Sequence, residues 1–395
     1  MARVAIFLDA EVGHIERTLG LARHLVQAGH SVTYLSFPAA DRIIRKHGFS
    51  FVPVLSDSLP DGATSADVAR VSDVFVPLIR GTLDSVISEE APDVVVTFTL
   101  FALEALVFRY RYNLPVVLLR SQCMFKPRSE ISRNCVLSRL LRLDDGPADL
   151  LELVACAGPV RNFNDIADLA LQMPEIVLFP REFWGGADDS DSLMHFVNPG
   201  NDVEVLPTSL PKECTDTGRP LIYCSLGSLS YAVDEETVAR FFGVVLAAMA
   251  ALPQYHLILA TGNRKASNFT PQSTNVYVTE WAPQRALLEK AELMITHGGS
   301  GGLRECIAAG VPMVVAPLGR DQFECAGIVA ASGLGVHVDV KTVTSAELTA
   351  KIADVMTDQS IRERVQGMRG YFQRSEWPAA VRLIESLCAG GPLPN

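Results

Sequence analysis

Two runs of short apolar strands alternating with amphipathic helices, separated by a proline-rich break, constrain this chain more than any single motif. The first run opens "VAIFL", continues "GHIERTLGLARHLVQAGH", and reaches "SVTYLS". Leu19, Leu21, Ala22, Leu25 and Val26 give the middle segment one apolar helical face, and Gly29 supplies its stop. A parallel βαβ unit of this length opens a doubly wound sheet. Further strands are expected at 51–55, 93–98, 115–120 and 176–180, with helices near 67–90, 102–112 and 162–171.

Residues 198–220 carry four prolines among mixed polar residues and read as a linker. A second series follows: "LIYCSLGS", a helix from Glu235 to Leu252, "HLILAT", "NVYVT", "LMITH", a helix from Gly302 to Ala309, and "PMVVAP". Helices near 322–332, 345–357 and 360–372 complete it. The expected fold is α/β, with two doubly wound Rossmann-like domains facing across a cleft. The first spans 1–205 and the second 218–373, and 374–395 adds a last helix from about Ala379 to Cys388. A length of 395 residues suits two domains of about 150–200 residues each. Ligands of such sheets bind beyond the carboxyl ends of the strands, which directs attention to the loops 9–15, 225–231 and 296–305.

The formal charge of -11 argues against a nucleic-acid partner, which would show a basic stripe. It leaves a nucleotide ligand open, because a helix N-terminus binds phosphate without lysine. Eight cysteines are scattered without a C-x-x-C pair, several inside apolar runs, so a reduced cytoplasmic chain with buried thiols is expected. The apolar start is too short for a signal peptide. The uncharged run from Phe241 to Asn263 is split by Pro253, Gln254 and His256, so no membrane span is expected. The expected state is a monomer or homodimer.

Each of the three loops carries candidate chemistry. His14 stands where the first strand turns into the first helix, and an imidazole titrating near neutrality can take a proton from a hydroxyl. That loop has the single glycine Gly13 where a dinucleotide-binding domain carries three, which disfavours a dehydrogenase. "SLGS" places Gly227 and Ser228 ahead of a helix, a weak phosphate signal. The third loop, "THGGSGGLRE", fits neither familiar phosphate-loop pattern: one needs a glycine at Arg304, the other a lysine that is absent. Yet His297 leads into glycines that allow close backbone approach, and then into a helix N-terminus. Trp281 offers a stacking face and Gln284 an amide. Glu305 can accept from a diol, and Asp321 with Gln322 can read sugar hydroxyls. No metal-ligand spacing appears. The short acidic run at Asp189, Ser190 and Asp191 reads as a solvated loop.

The string "WAPQ…THGGSGGLRE…GVPMVVAPLGRDQ", with "GHIERTLGLARHL" upstream and "GSLS" between, resembles the family 1 glycosyltransferases of the GT-B fold, in particular the bacterial members that glycosylate macrolides and other natural products. The resemblance implies a nucleoside-diphosphate sugar, dTDP- or UDP-linked, as co-substrate, with no cofactor and no metal. It implies an inverting transfer to a hydroxyl of a hydrophobic acceptor, walled by 56–90 and 122–150, with His14 as the base. Ser228, His297 and the backbone of Gly298, Gly299, Ser300, Gly301 and Gly302 would hold the diphosphate. Trp281 and Gln284 would contact the nucleoside, Glu305 the ribose, and Asp321 with Gln322 the sugar. The last helix, within 374–390, would cross back onto the first domain.

The family commonly has an aspartate after the strand that here reads "DVVVTF", to orient the base. This chain has Thr97 and Thr99 there, and Glu104 farther on is the candidate orienter. The alternatives are a non-catalytic nucleotide-sugar-binding partner, supported by the missing aspartate, and a sugar-nucleotide epimerase of the same fold.

Overall fold

The computed structural model describes residues 1–56, 75–123, 126–140, 147–157, 160–184, 191–200, 218–227, 235–262 and 264–390. The chain divides into two compact units. One comprises Met1–Ser121, Phe125–Val203 and Ser375–Asn395, and the other Glu204–Arg374 with Gln122–Met124.

The first unit is built on a parallel sheet of seven strands: β1 (Arg3–Phe7), β2 (Ser31–Ser36), β3 (Ser50–Pro53), β4 (Val94–Phe98), β5 (Val116–Arg120), β6 (Glu175–Val177) and β7 (Met194–Phe196). Their order is β3-β2-β1-β4-β5-β6-β7, and every pairing is parallel. The chain reverses direction across the sheet between β1 and β4, which places the loop after β1 at a topological switch point. Strands β4 and β5 are buried throughout, as expected of strands covered on both faces. Helix α1 (Val12–Gln27) lays Ile15, Leu19, Leu21, Ala22 and Leu25 into this core.

The second unit carries six parallel strands: β8 (Leu221–Ser225), β9 (His256–Ala260), β10 (Val276–Thr279), β11 (Ala291–Thr296), β12 (Met313–Val315) and β13 (Gly335–His337). Their order is β10-β9-β8-β11-β12-β13, the same doubly wound arrangement. Both units are Rossmann-like, as the alternating pattern predicts.

The last helix, α7 (Trp377–Cys388), packs in the core of the first unit through Trp377, Ala380, Leu383 and Ile384. Its indole lies on α1 at Gly20, where a Cβ would meet the Trp377 Nε1 at 2.5 Å, so only glycine fits there. The Glu376 amide donates to the Asn198 carbonyl, and the Asn198 amide donates to the Glu376 carboxylate, both at 2.8 Å. His30 pairs with Glu385 at 3.0 Å.

Some local expectations differ from what is found. Of the helix expected near 67–90, the described part holds two short helices, Phe75–Ile79 and Asp84–Glu90, interrupted at Gly81 with φ +93°. Residues 57–74 lie outside the described residues. Strands β7 and β13, of three residues each, and helices α3 (Arg128–Leu140) and Pro147–Val154 were not legible in the pattern. Asp191 belongs to a buried ion network: its carboxylate receives Arg128 at 3.1 Å, and Arg128 and Arg120 both clasp Glu175. Asp189 and Ser190 lie outside the described residues.

Candidate active site

Strand β1 delivers the chain to Asp9, whose Oδ1 accepts the Glu11 amide at 3.2 Å and so turns the backbone into α1. The Ser36 hydroxyl donates to the Asp9 carbonyl at 3.1 Å and ties this turn to the end of β2. His14 then falls in the first turn of α1, with its amide on the Glu11 carbonyl at 2.9 Å. Its Nδ1 lies 2.8 Å from Asp9 Oδ1, and Glu11 Oε2 stands 3.9 Å away. The ring is buried. It lies tilted against Phe98 at 4.8 Å and edge-on to Phe101 at 6.5 Å between centroids.

A carboxylate can only accept, so the Asp9 contact puts a proton on Nδ1 and leaves Nε2 as the basic nitrogen of the neutral ring. Burial pulls the His14 pKa down. The Asp9 hydrogen bond and charge, with Glu11 behind them, outweigh burial and hold it above the ordinary 6.5.

The carboxylate on His14 Nδ1 is therefore Asp9, and the expectation of Glu104 in that place is corrected. Glu104 is buried in helix α2 (Ala102–Tyr110), and the Nδ1 position it would need is already occupied. Thr99, at the place where an acid was sought, donates its hydroxyl to Glu175 and to the Leu119 carbonyl. The sequence signal missed was an aspartate directly after a strand with a histidine five residues on, in the first helical turn.

Asp9, Glu11 and His14 also bring three possible metal-ligand atoms within 4.8 Å of one another, a grouping that the sequence spacing did not suggest. The 2.8 Å between Nδ1 and Oδ1 is a hydrogen-bond distance. Two atoms on one tetrahedral zinc would stand about 3.3 Å apart.

In the second unit, β11 ends at Thr296, and His297, Gly298 and Gly299 lead into α5 (Ser300–Ala309), which Gly299 caps. Gly298 has φ +80°, and a Cβ on it would meet Val315 Cγ1 at 2.5 Å. The amides of Ser300, Gly301 and Gly302 open the helix, where first-turn N–H groups have no intrahelical partner and face an anion readily. His297 is wedged between two glycines: a Cβ on Gly299 would lie 2.5 Å from its Nε2, and one on Gly227 2.8 Å from it. Its Nδ1 is buried with no hydrogen-bond partner among the described residues. Burial depresses its pKa to about 4. The ring is thus neutral near pH 7 and carries a single N–H donor. Ser228 lies outside the described residues.

Trp281, just past β10, is 67% exposed, a free aromatic face. Gln284 Nε2 donates to Glu305 Oε2 at 2.6 Å, and Arg285 Nε donates to Glu305 Oε1 at 2.9 Å. The structure thus joins Gln284 to Glu305 and adds Arg285, which no motif in the sequence singled out. Gln322 opens helix α6 (Gln322–Ala331), and its Oε1 accepts the amides of Leu318 and Gly319 at 2.8 and 3.2 Å. Only its Nε2 is left to face a ligand. Asp321 precedes it, half-buried, after Arg320 in the left-handed region at φ +56°.

Residues 206–370 match the family model for UDP-glucoronosyl and UDP-glucosyl transferases. The chain is 26% identical to demethyllactenocin mycarosyltransferase of Streptomyces fradiae, over 98% of this chain and 87% of that protein. Identity to oleandomycin glycosyltransferase of Streptomyces antibioticus is also 26%, over 98% and 90%. A solved glycosyltransferase of kitacinnamycin superposes with a TM-score of 0.77 at 27% identity, over 98% of this chain and 99% of that one. Two Rossmann-like units, with the segment from Trp281 to Gln322 in the second, are the fold of GT-B glycosyltransferases. The chain is a glycosyltransferase with a family 1 domain in its second unit, and along nearly its whole length it is similar to bacterial glycosyltransferases such as the mycarosyl- and oleandomycin enzymes. Among the described residues, no helix is long and apolar enough to cross a membrane.

Proposed function

We propose that the enzyme transfers a sugar from a dTDP- or UDP-linked donor, with inversion, to a hydroxyl of a hydrophobic natural-product acceptor such as a macrolide or other polyketide. The observation that carries this reading is the His14 ring in the first turn of α1, with Nδ1 on Asp9 and Nε2 left as the base. In the reaction the acceptor hydroxyl gives its proton to Nε2 as its oxygen bonds to the anomeric carbon. The bond from that carbon to the diphosphate oxygen breaks on the opposite face.

The leaving diphosphate gathers negative charge. The amides of Ser300, Gly301 and Gly302 and the N–H of a neutral His297 supply fixed donors for it, a preorganised form of transition-state stabilisation. Trp281 offers its exposed face to the base, Glu305 with Gln284 accepts from the sugar ring of the nucleoside, and Asp321 with Gln322 Nε2 reads the transferred sugar. These donors suit a diphosphate held without a metal or other cofactor. Of the expected acceptor walls, 57–74, 124–125 and 141–146 lie outside the described residues.

The test is donor turnover with dTDP- and UDP-sugars against a panel of apolar aglycones. Acceptor-dependent release of nucleoside diphosphate with a new glycoside is the expected result. Donor binding without turnover across the panel would favour a non-catalytic partner, and donor isomerisation without acceptor would favour an epimerase.

A further inference from the structure

We infer that Asp9 is the positioning residue of the proton-transfer step, so that the base and the carboxylate that orients it are both carried by the single turn 9–14. The inference rests on the proposed role of His14 as base, and it adds the residue on which that role depends.

Three observations converge on Asp9. Its Oδ1 meets His14 Nδ1 at 2.8 Å, and both side chains are only 11% exposed, so the contact is shielded from competing water. The same carboxylate is itself fixed: Oδ1 also accepts the Glu11 amide, and the Asp9 carbonyl receives the Ser36 hydroxyl. The imidazole, in turn, packs tilted against Phe98 and edge-on to Phe101, which limits its rotation away from Asp9.

The loop beyond β4 offers no competing acid at Thr97 or Thr99, and Thr99 is occupied by Glu175. Among the described residues, the charged groups acting on the ring are Asp9, Glu11 and Arg17, all on this turn or on α1. Strand β4 and residues 99–101 meet it with the uncharged Phe98 and Phe101.

The chemistry follows from this placement. When Nε2 takes the acceptor's proton, the ring becomes an imidazolium whose second N–H already points at Asp9. The carboxylate stays ionised and stabilises that cation, and it fixes the tautomer beforehand. Glu11, at 3.9 Å and without a hydrogen bond to the ring, adds charge but no orientation. Because both partners sit on one turn, their geometry is set by the local Asx turn rather than by the packing of two loops.

The experiment compares wild type with Asp9→Asn, Asp9→Glu, Glu11→Gln and His14→Ala in acceptor-dependent transfer across pH 5.5–9, about one unit or more either side of an ordinary histidine. Asparagine keeps an oxygen for the Glu11 amide but removes the charge. The expected result for Asp9→Asn is a fall in kcat of about 10- to 100-fold, with the donor KM within about twofold of wild type. Its acid limb should move to lower pH, because the group that raises the His14 pKa is gone. Asp9→Glu should restore the limb toward its wild-type position, which reads the charge even if Asp9→Asn is less stable. Glu11→Gln should move the limb the same way by less. A lost rate with an unmoved limb, or an Asp9→Asn enzyme within about twofold of wild type, overturns the inference. Full activity in His14→Ala would instead overturn the reading beneath it.

Discussion

Gly227 and His297 fit so closely that a Cβ on the glycine would lie 2.8 Å from the ring's Nε2 and 3.1 Å from its Nδ1. Gly227 also has φ +75°, which a side chain rarely adopts. Two loops that follow neighbouring strands, β8 and β11, thus interlock at the start of α5. Gly227→Ala should push the imidazole out of place, with an overpacking cost of about 1–3 kcal/mol. The expected outcome is a weaker thermal shift with UDP or dTDP, while the transfer rate at saturating donor changes less than the donor KM.

The neutral state of His297 fixes the sign of a pH effect on stability. Its folded pKa of about 4 lies below its unfolded value of 6.5. The unfolded chain therefore binds the proton first, and stability is lost as pH falls from about 6.5 toward 4. His14 has the opposite sign, since its raised pKa favours the folded state at low pH and that contribution fades as pH rises. His297→Gln should flatten the fall in the urea midpoint between pH 7 and pH 5. A variant whose midpoint falls as steeply as wild type would contradict the assignment.

Arg285 is expected to matter to the donor although no motif names it. It holds Glu305 Oε1 while Gln284 holds Oε2, so that the two together fix both carboxylate oxygens. Arg285→Leu should leave that carboxylate free to turn, with a rise in donor KM of about three- to tenfold, since a part-exposed pair contributes about 1 kcal/mol. Isothermal titration with the nucleoside diphosphate checks it directly.

The Arg120–Glu175–Arg128 cluster is a structural device of the first unit. All three side chains are buried, and Thr99 and Asp191 join its edges. Glu175→Gln would strand two buried guanidinium groups against a neutral amide. Removing one partner of such a cluster costs about 3–5 kcal/mol, so the melting temperature should drop by on the order of 10 °C.

The fold was largely legible because helical and strand periods alternate through most of both units, with Gly29 ending the first helix where expected. What escaped were three-residue strands such as β7 and β13, too short for a period to show, and α3, whose burial depends on the ion network beneath it. In the site, His14, His297 and the glycines could be read because strand, loop and helix N-terminus are local features. Asp9 could not, because its role depends on an Asx turn that folds it back on its own helix. Gln322 was recognised, but not that its oxygen would be used by the 318–319 backbone, which is a tertiary fact.

If His14 Nε2 removes the acceptor proton, His14→Ala is the decisive variant. The measurement is acceptor-dependent release of nucleoside diphosphate, with donor affinity followed in parallel by thermal shift. Turnover should fall by about 10²–10⁴-fold, the usual worth of a general base, with the nucleotide-induced shift unchanged. Turnover in His14→Ala equal to wild type would contradict it.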